Sequence, residues 1–197
     1  MTSVLYIDCC IRGGQSRTRA LAEGFLAALA GRSDLRVERL TFMDEPLIPF
    51  QNGFFWQREH LLGAGRLDHP RFRYAHQFQR ADRIVIAAPF WDLSFPALLK
   101  VYIENLCVQG ITFDCDETNG TYGVCRAEKM LFLTTRGGAL EDSPMDNGTK
   151  YLSDMAKFFG IARFDHIAAD GLDLGLEPPD AIVGRAVDRA IELAKTF

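Results

Sequence analysis

The chain has no apolar run long enough to cross a bilayer, no surplus of basic side chains and no glycine-rich nucleotide fingerprint, and each absence removes a class of function. Its longest nearly unbroken apolar stretch runs from Ile84 to Trp91, far short of the roughly 20 residues a membrane helix requires. The N-terminal MTSVLYID has no basic region ahead of an apolar one, so no export signal is read there and the cytoplasm is the expected compartment. Basic side chains number 22 against 26 acidic ones, a formal charge of −4, which argues against electrostatic binding to nucleic acid or to anionic membrane. G-x-G-x-x-G does not follow the first apolar run and G-x-x-x-x-G-K-[ST] occurs nowhere, which speaks against a dinucleotide or triphosphate gripped in those ways. The five cysteines have no framework spacing and no C-x2-C pair, and His60, His69, His76 and His166 are not at ligand spacings. A reducing compartment without a metal site is the consistent reading.

What remains is an ordinary globular composition, 48% hydrophobic and 24% charged over 197 residues. At roughly 150 residues per domain this is one domain, residues 1–197, able to bury about 70% of its unfolded surface without staples. Val4 to Ile7 reads as a strand leading through a glycine-containing turn into a helix with Leu21, Phe25, Ala28 and Leu29 on one face. Leu35 to Leu40 alternates as a half-exposed edge strand would, whereas Ile84 to Ala88 and Met130 to Leu133 have no polar alternation, the mark of parallel strands covered on both faces. A helix with Ser94 as N-cap and Pro96 in its first turn lies between those two runs; others are predicted over Tyr151 to Phe159 and after Pro178-Pro179-Asp180. The last carries Ile182, Ala186, Val187, Ala190, Ile191 and Ala194 as its apolar stripe, and a fifth short strand is placed near Asp165 to Ala168. Strands alternating with helices predict an α/β fold, an open parallel sheet with helices on both faces. Residues 46 to 72 break the rhythm as an aromatic-rich loop insertion containing Phe50, Phe54, Phe55 and Trp56.

In such a sheet a ligand lies beyond the carboxyl ends of the strands, where the strand order reverses. Three loops meet that condition. The first, Cys9 to Thr18, supplies two glycines, the hydroxyls of Ser16 and Thr18, and Arg12, Arg17 and Arg19 ahead of a helix N-terminus, a phosphate-binding composition that an ordinary polar turn would share. The second is Pro89-Phe90-Trp91-Asp92-Leu93 and the third Thr135-Arg136-Gly137-Gly138. An aromatic wall facing bare backbone N–H groups suits a flat ring with polar edges, such as a flavin.

These residues resemble the FMN-dependent NADH azoreductases and related NAD(P)H quinone reductases of the flavodoxin-like fold. The likeness is carried by V-L-x-x-x-x-x-I and the Ser16-Arg17-Thr18 that follows, by I-V-I-A-A-P-F-W-D-L-S-F-P-A-L-L-K at 84 to 100, by G-I-T-F at 110 to 113, by T-R-G-G at 135 to 138 and by Y-L-S at 151 to 153. The resemblance implies a three-layer sandwich with strand order 2-1-3-4-5. It implies FMN with its phosphate on Cys10, Ser16, Arg17 and Thr18 and its ring against residues 89 to 93 and 135 to 138. It further implies NADH or NADPH as donor, a small aromatic electron acceptor, and a homodimer whose interface holds the substrate entrance, lined by Phe113 and Phe158; Phe54 and Trp56 are the further candidates for a covered pocket. Where the family has paired serines and Tyr-Asn, this chain has Cys9-Cys10 and Trp91-Asp92. A thiol donates weakly, and an ionised Asp92 near the ring would lower the flavin potential.

Other readings compete. A cysteine phosphatase needs C-x5-R, yet Cys10 leads to Ser16 and Cys9 to Gln15. A flavodoxin-like electron carrier would present a strongly acidic docking face, which a charge of −4 does not provide. A flavin-free relative would be colourless and not reconstitutable.

Overall fold

Val4, Leu5, Tyr6 and Ile7 are all buried, the condition for a strand covered on both faces. In the computed structural model, which describes residues 1–197, they lie in β1 (Thr2–Asp8), followed by α1 (Arg17–Ala30), β2 (Leu35–Thr41), α2 (Asn52–Gly63), α3 (Arg73–Arg80), β3 (Arg83–Ala87) and α4 (Ala97–Leu106). After these come β4 (Phe113–Asp116), β5 (Gly120–Gly123), β6 (Lys129–Thr135), α5 (Asn147–Phe158), β7 (Arg163–Ala169) and α6 (Pro179–Ala194).

Five strands form one parallel sheet in the order β2-β1-β3-β6-β7. This is the expected 2-1-3-4-5 arrangement under different numbers, because an antiparallel hairpin of β4 and β5 interrupts the chain before the last two sheet strands without joining them. Alternation along β1 divides the core: Leu5 and Ile7 face a cluster completed by α3, α4 and α5, while Val4 and Tyr6 face one completed by α1 and α6. Phe25 of α1, fully buried and edge-on to Phe197, is worth about 1.5–3 kcal/mol by burial alone. No helix is long and apolar enough to cross a membrane.

The structure corrects several local expectations. Residues 46 to 72 are not a loop throughout: α2 occupies twelve of them and Pro70–Phe72 is a 3-10 turn. The helix escapes pattern reading because Phe54, Phe55 and Trp56 are consecutive rather than a stripe, and Leu61 is its only buried residue. Ser94 does not cap α4; Pro96 holds that place with no side-chain bond. The buried stripe of α6 is Val183, Ala186, Ala190 and Ala194, with Ile191 exposed. Helix α5 starts at Asn147, four residues early, because the Asp146 carboxylate accepts from the Thr149 N–H. Strand β7 spans Arg163–Ala169, wider than the 165 to 168 expected.

Candidate active site

From the carboxyl edge of the sheet the chain leaves β1 toward α1 on one face and β3 toward α4 on the other, so a crevice opens between these strands. A cavity of about 230 Å³ lies there. Arg12, Gln15, Ser16, Arg17 and Thr18 line it from the first loop, Pro89, Phe90 and Trp91 from the second, and Thr135, Arg136 and Gly137 from the third. Leu172 and Asp173, after β7, complete it.

Ser16 is extended at the N-cap of α1, and its hydroxyl accepts from the Arg19 N–H at 3.3 Å. The next two N–H groups, of Arg17 and Thr18, have no intrahelical acceptor and sit at the positive end of the helix. Thr18 is fully buried, its hydroxyl 2.6 Å from that of Thr135, a bond that ties the first loop to the third. Arg17 reaches across the cleft to Asp173 at 3.5 Å, with both side chains largely in solvent, so the pair adds little to stability.

Cys10, expected beside a phosphate, is not part of the cleft lining. Its thiol is buried in the core with Ala87 O as its acceptor at 3.7 Å, while Cys9 packs on the opposite face of the sheet. Burial, reinforced by Asp8, pushes the Cys9 thiol from 9.0 up to about 12 and the Cys10 thiol higher still. Neither is a thiolate nucleophile, and opposed side chains do not form a vicinal redox pair.

In the second loop Trp91 and Ser94 exchange two backbone hydrogen bonds, of 3.0 and 2.8 Å. Asp92 and Leu93 form the two-residue tip, with φ of 51° and 64°, the left-handed conformation that turns of this kind require at both positions. The tip holds Trp91, 42% exposed, at the rim of the cleft. Asp92 and Leu93, expected against the ring, are exposed and outside the lining.

The third loop is anchored from behind. Arg136 is buried, its Nη2 donating to Asp146 and, at 2.8 Å, to the Thr149 hydroxyl, while Nη1 lies 3.5 Å from Asp170. The carbonyls of Arg136, Gly137 and Gly138 accept from Leu172, Asp173 and Gly171 at 3.0–3.1 Å. The N–H groups of Gly137 and Gly138, by contrast, have no acceptor in the protein. A Cβ on Gly137 would stand 2.4 Å from the Asp173 carboxylate.

The structure therefore brings Ser16, Arg17, Thr18, Pro89, Phe90, Trp91, Thr135, Arg136 and Gly137 to one cleft and leaves Cys10, Asp92, Leu93 and Gly138 outside its lining. Phe54 lines a separate cavity, Trp56 is 69% exposed, and Phe113 and Phe158 stack on each other at 4.9 Å outside the cleft lining. Sequence reasoning missed Leu172 and Asp173; the rule that selected three loops also selects the one after the last strand. The donor set fits FMN: cationic and hydroxyl groups at a helix N-terminus for a phosphate, an aromatic wall for a ring, and unspent N–H groups for its oxygens.

A family profile described as flavodoxin-like fold matches residues 2–193. The chain is 36% identical to FMN-dependent NADH:quinone oxidoreductase 2 of Clostridium acetobutylicum over the whole of both chains. Among solved structures it is similar to an azoreductase from Bacillus anthracis strain Sterne, with 26% identity, a TM-score of 0.88 and full coverage of both chains. An FMN-dependent NADH-azoreductase from B. anthracis Ames Ancestor, solved with FMN, superposes with a TM-score of 0.88 over 100% of this chain and 99% of the other; at 21% identity it shows the shared fold alone.

Proposed function

This chain belongs to the flavodoxin-like fold family, and from that membership we propose that it is an FMN-dependent NAD(P)H oxidoreductase that passes two electrons to quinones, azo compounds or nitroaromatics. The observation that carries the reading is the cleft itself, where an aromatic wall at Phe90 and Trp91 meets a loop whose Gly137 and Gly138 N–H groups are unspent. Its relatives' names point the same way. When bound, FMN supplies the hydride chemistry.

The protein's residues do the holding. Ser16, Arg12, Arg17 and the first N–H groups of α1 hold the phosphate, and Arg17 exchanges Asp173 for it. Phe90 and Trp91 give the ring a face. The unspent N–H groups of the Gly137-Gly138 loop would donate to polar oxygens of the ring, from a loop already fixed by Arg136. No titratable side chain other than arginine and aspartate lines the cavity, so no general acid is assigned.

With one cleft to serve both, donor and acceptor would bind in turn and the kinetics would be ping-pong. The reading extends to a homodimer in the cytoplasm, in which the exposed hairpin aromatic Tyr122 is available as a contact. The test is the visible spectrum of purified protein after FMN reconstitution, followed by NADH oxidation with menadione and with an azo dye. Flavin bands, turnover with both acceptors and parallel double-reciprocal lines are expected. A protein that stays colourless with excess FMN refutes the proposal, and one that binds FMN without oxidising NADH is a carrier.

A further inference from the structure

Residues 46 to 72 build something other than the flavin cleft. Between the approach to α2, the helix itself, the Pro70–Phe72 turn and the facing side of α4 lies a cavity of about 310 Å³, lined by Ile48, Phe54, Arg71, Arg73, Tyr74 and Asn105 among others, none of which touches the cleft. The cations around it are interleaved with aromatic rings. Arg58 lies 5.1 Å and Arg71 5.9 Å from the Phe50 ring, and Arg71 lies 3.5 Å over Phe54.

These arginines differ in one respect. Arg58 pairs with Glu59 and donates to Cys107 O, and Arg73 pairs with Glu45. Arg71 pairs with nothing: no carboxylate lies within 4.0 Å of it, and its Nε and Nη2 are buried without an acceptor. Nη1, also unbonded, is the one guanidinium nitrogen not buried, on a residue that lines the cavity. Burial and the neighbouring Arg58 pull the Arg71 guanidinium below its ordinary range, as expected of a desolvated cation lacking its counter-ion.

We propose that this cavity is a second binding site, for a small aromatic monocarboxylate. The charge sets the valence: with Glu45 and Glu59 already committed, one positive charge in the cluster is uncompensated, so a monoanion balances it and a dianion would face Glu45. The walls set the body: Pro46, Ile48, Phe54 and Pro70 are apolar, Tyr74 adds a ring, and the volume suits one aromatic ring with a carboxylate. Arg71 gives the carboxylate a charge-assisted hydrogen bond, and Phe54 holds the guanidinium flat. The site does not depend on the flavin reading, because it shares no residue with the cleft.

The probe is benzoate, titrated calorimetrically into the full chain with and without saturating FMN. One site per chain is expected, with the same affinity in both forms, and Arg71→Met should weaken it at least tenfold. Arg71→Lys, which keeps the charge and controls for folding, should retain part of the affinity, and benzoate should shift the NMR signals of His69 and Tyr74. Benzoate binding that survives Arg71→Met, that FMN abolishes, or that is absent in the wild type overturns the proposal. So does dissociation of an oligomer on Arg71→Met without benzoate binding, which would assign Arg71 to a carboxylate of a second copy.

Discussion

Replacing Arg136 by methionine removes the charge that anchors the glycine loop from behind and leaves its shape roughly in place. The wild-type guanidinium is 1% exposed, and its partners Asp146 and Asp170 are 12% and 17% exposed, so the interaction is little screened. Removing one member of a buried pair costs about 3–5 kcal/mol, because the remaining charge keeps its desolvation penalty and loses its partner. Here two carboxylates are left facing each other across the vacated space. For a chain of this length each kcal/mol moves the melting temperature by about 2–4 °C, so a fall of roughly 6–20 °C is expected. The measurement is thermal and urea unfolding of the FMN-free protein, with FMN affinity followed by flavin fluorescence. Affinity should fall as well, because Asp146 starts α5 and Asp170 also accepts from the Leu140 N–H at 2.9 Å, so the whole frame of Gly137 and Gly138 loosens. A double-mutant cycle with Asp146→Asn, which keeps the cap on Thr149, should return a coupling of about 1–3 kcal/mol. A melting temperature within about 2 °C of wild type, or a coupling near zero, would refute the argument that this pair fixes the loop.

Four further outcomes follow from the structure. Gly137→Ala places a methyl 2.4 Å from the Asp173 carboxylate; since Asp173 is 75% exposed it swings aside, so FMN affinity should drop while the melting temperature holds. Gly123→Ala meets backbone instead, 1.9 Å from the Phe159 carbonyl carbon, and should cost about 1–3 kcal/mol, read as faster proteolysis in the β4–β5 hairpin. With Ellman's reagent near pH 7.5, Cys115 alone should react quickly, being the one exposed cysteine. Because burial raises the Cys9 pKa from 9.0 to about 12, the thiol form is favoured by folding; stability is full below about pH 9 and declines as pH rises toward 12. A stability that is flat over that range would contradict the burial.

The sheet was legible because Ile84 to Ala88 and Met130 to Leu133 leave no room for polar alternation, and the location of the site followed from the topology those runs impose. The orientation of Cys9 and Cys10 was misread, with Cys10 placed on a phosphate, although continuing the alternation of β1 through Asp8 sends the two thiols into opposite core clusters. Two features were hidden for different reasons. Helix α2 buries only Leu61, so no stripe betrays it. Arg136 looks like a loop arginine because its partners lie 10 and 34 residues away, and nothing local distinguishes a cation bound for the interior from one bound for solvent.

The tip at Asp92 and Leu93 has an evolutionary consequence. Two consecutive non-glycine residues in the left-handed region cost of order 1–3 kcal/mol each, against a total margin of about 5–15 kcal/mol for a folded domain. Glycine at 93 would recover part of that at once. A screen for heat resistance alone would therefore drift toward it, and toward a Trp91 less firmly held, so that the most easily won stability in this chain would come at the expense of the surface against which a ring is to lie.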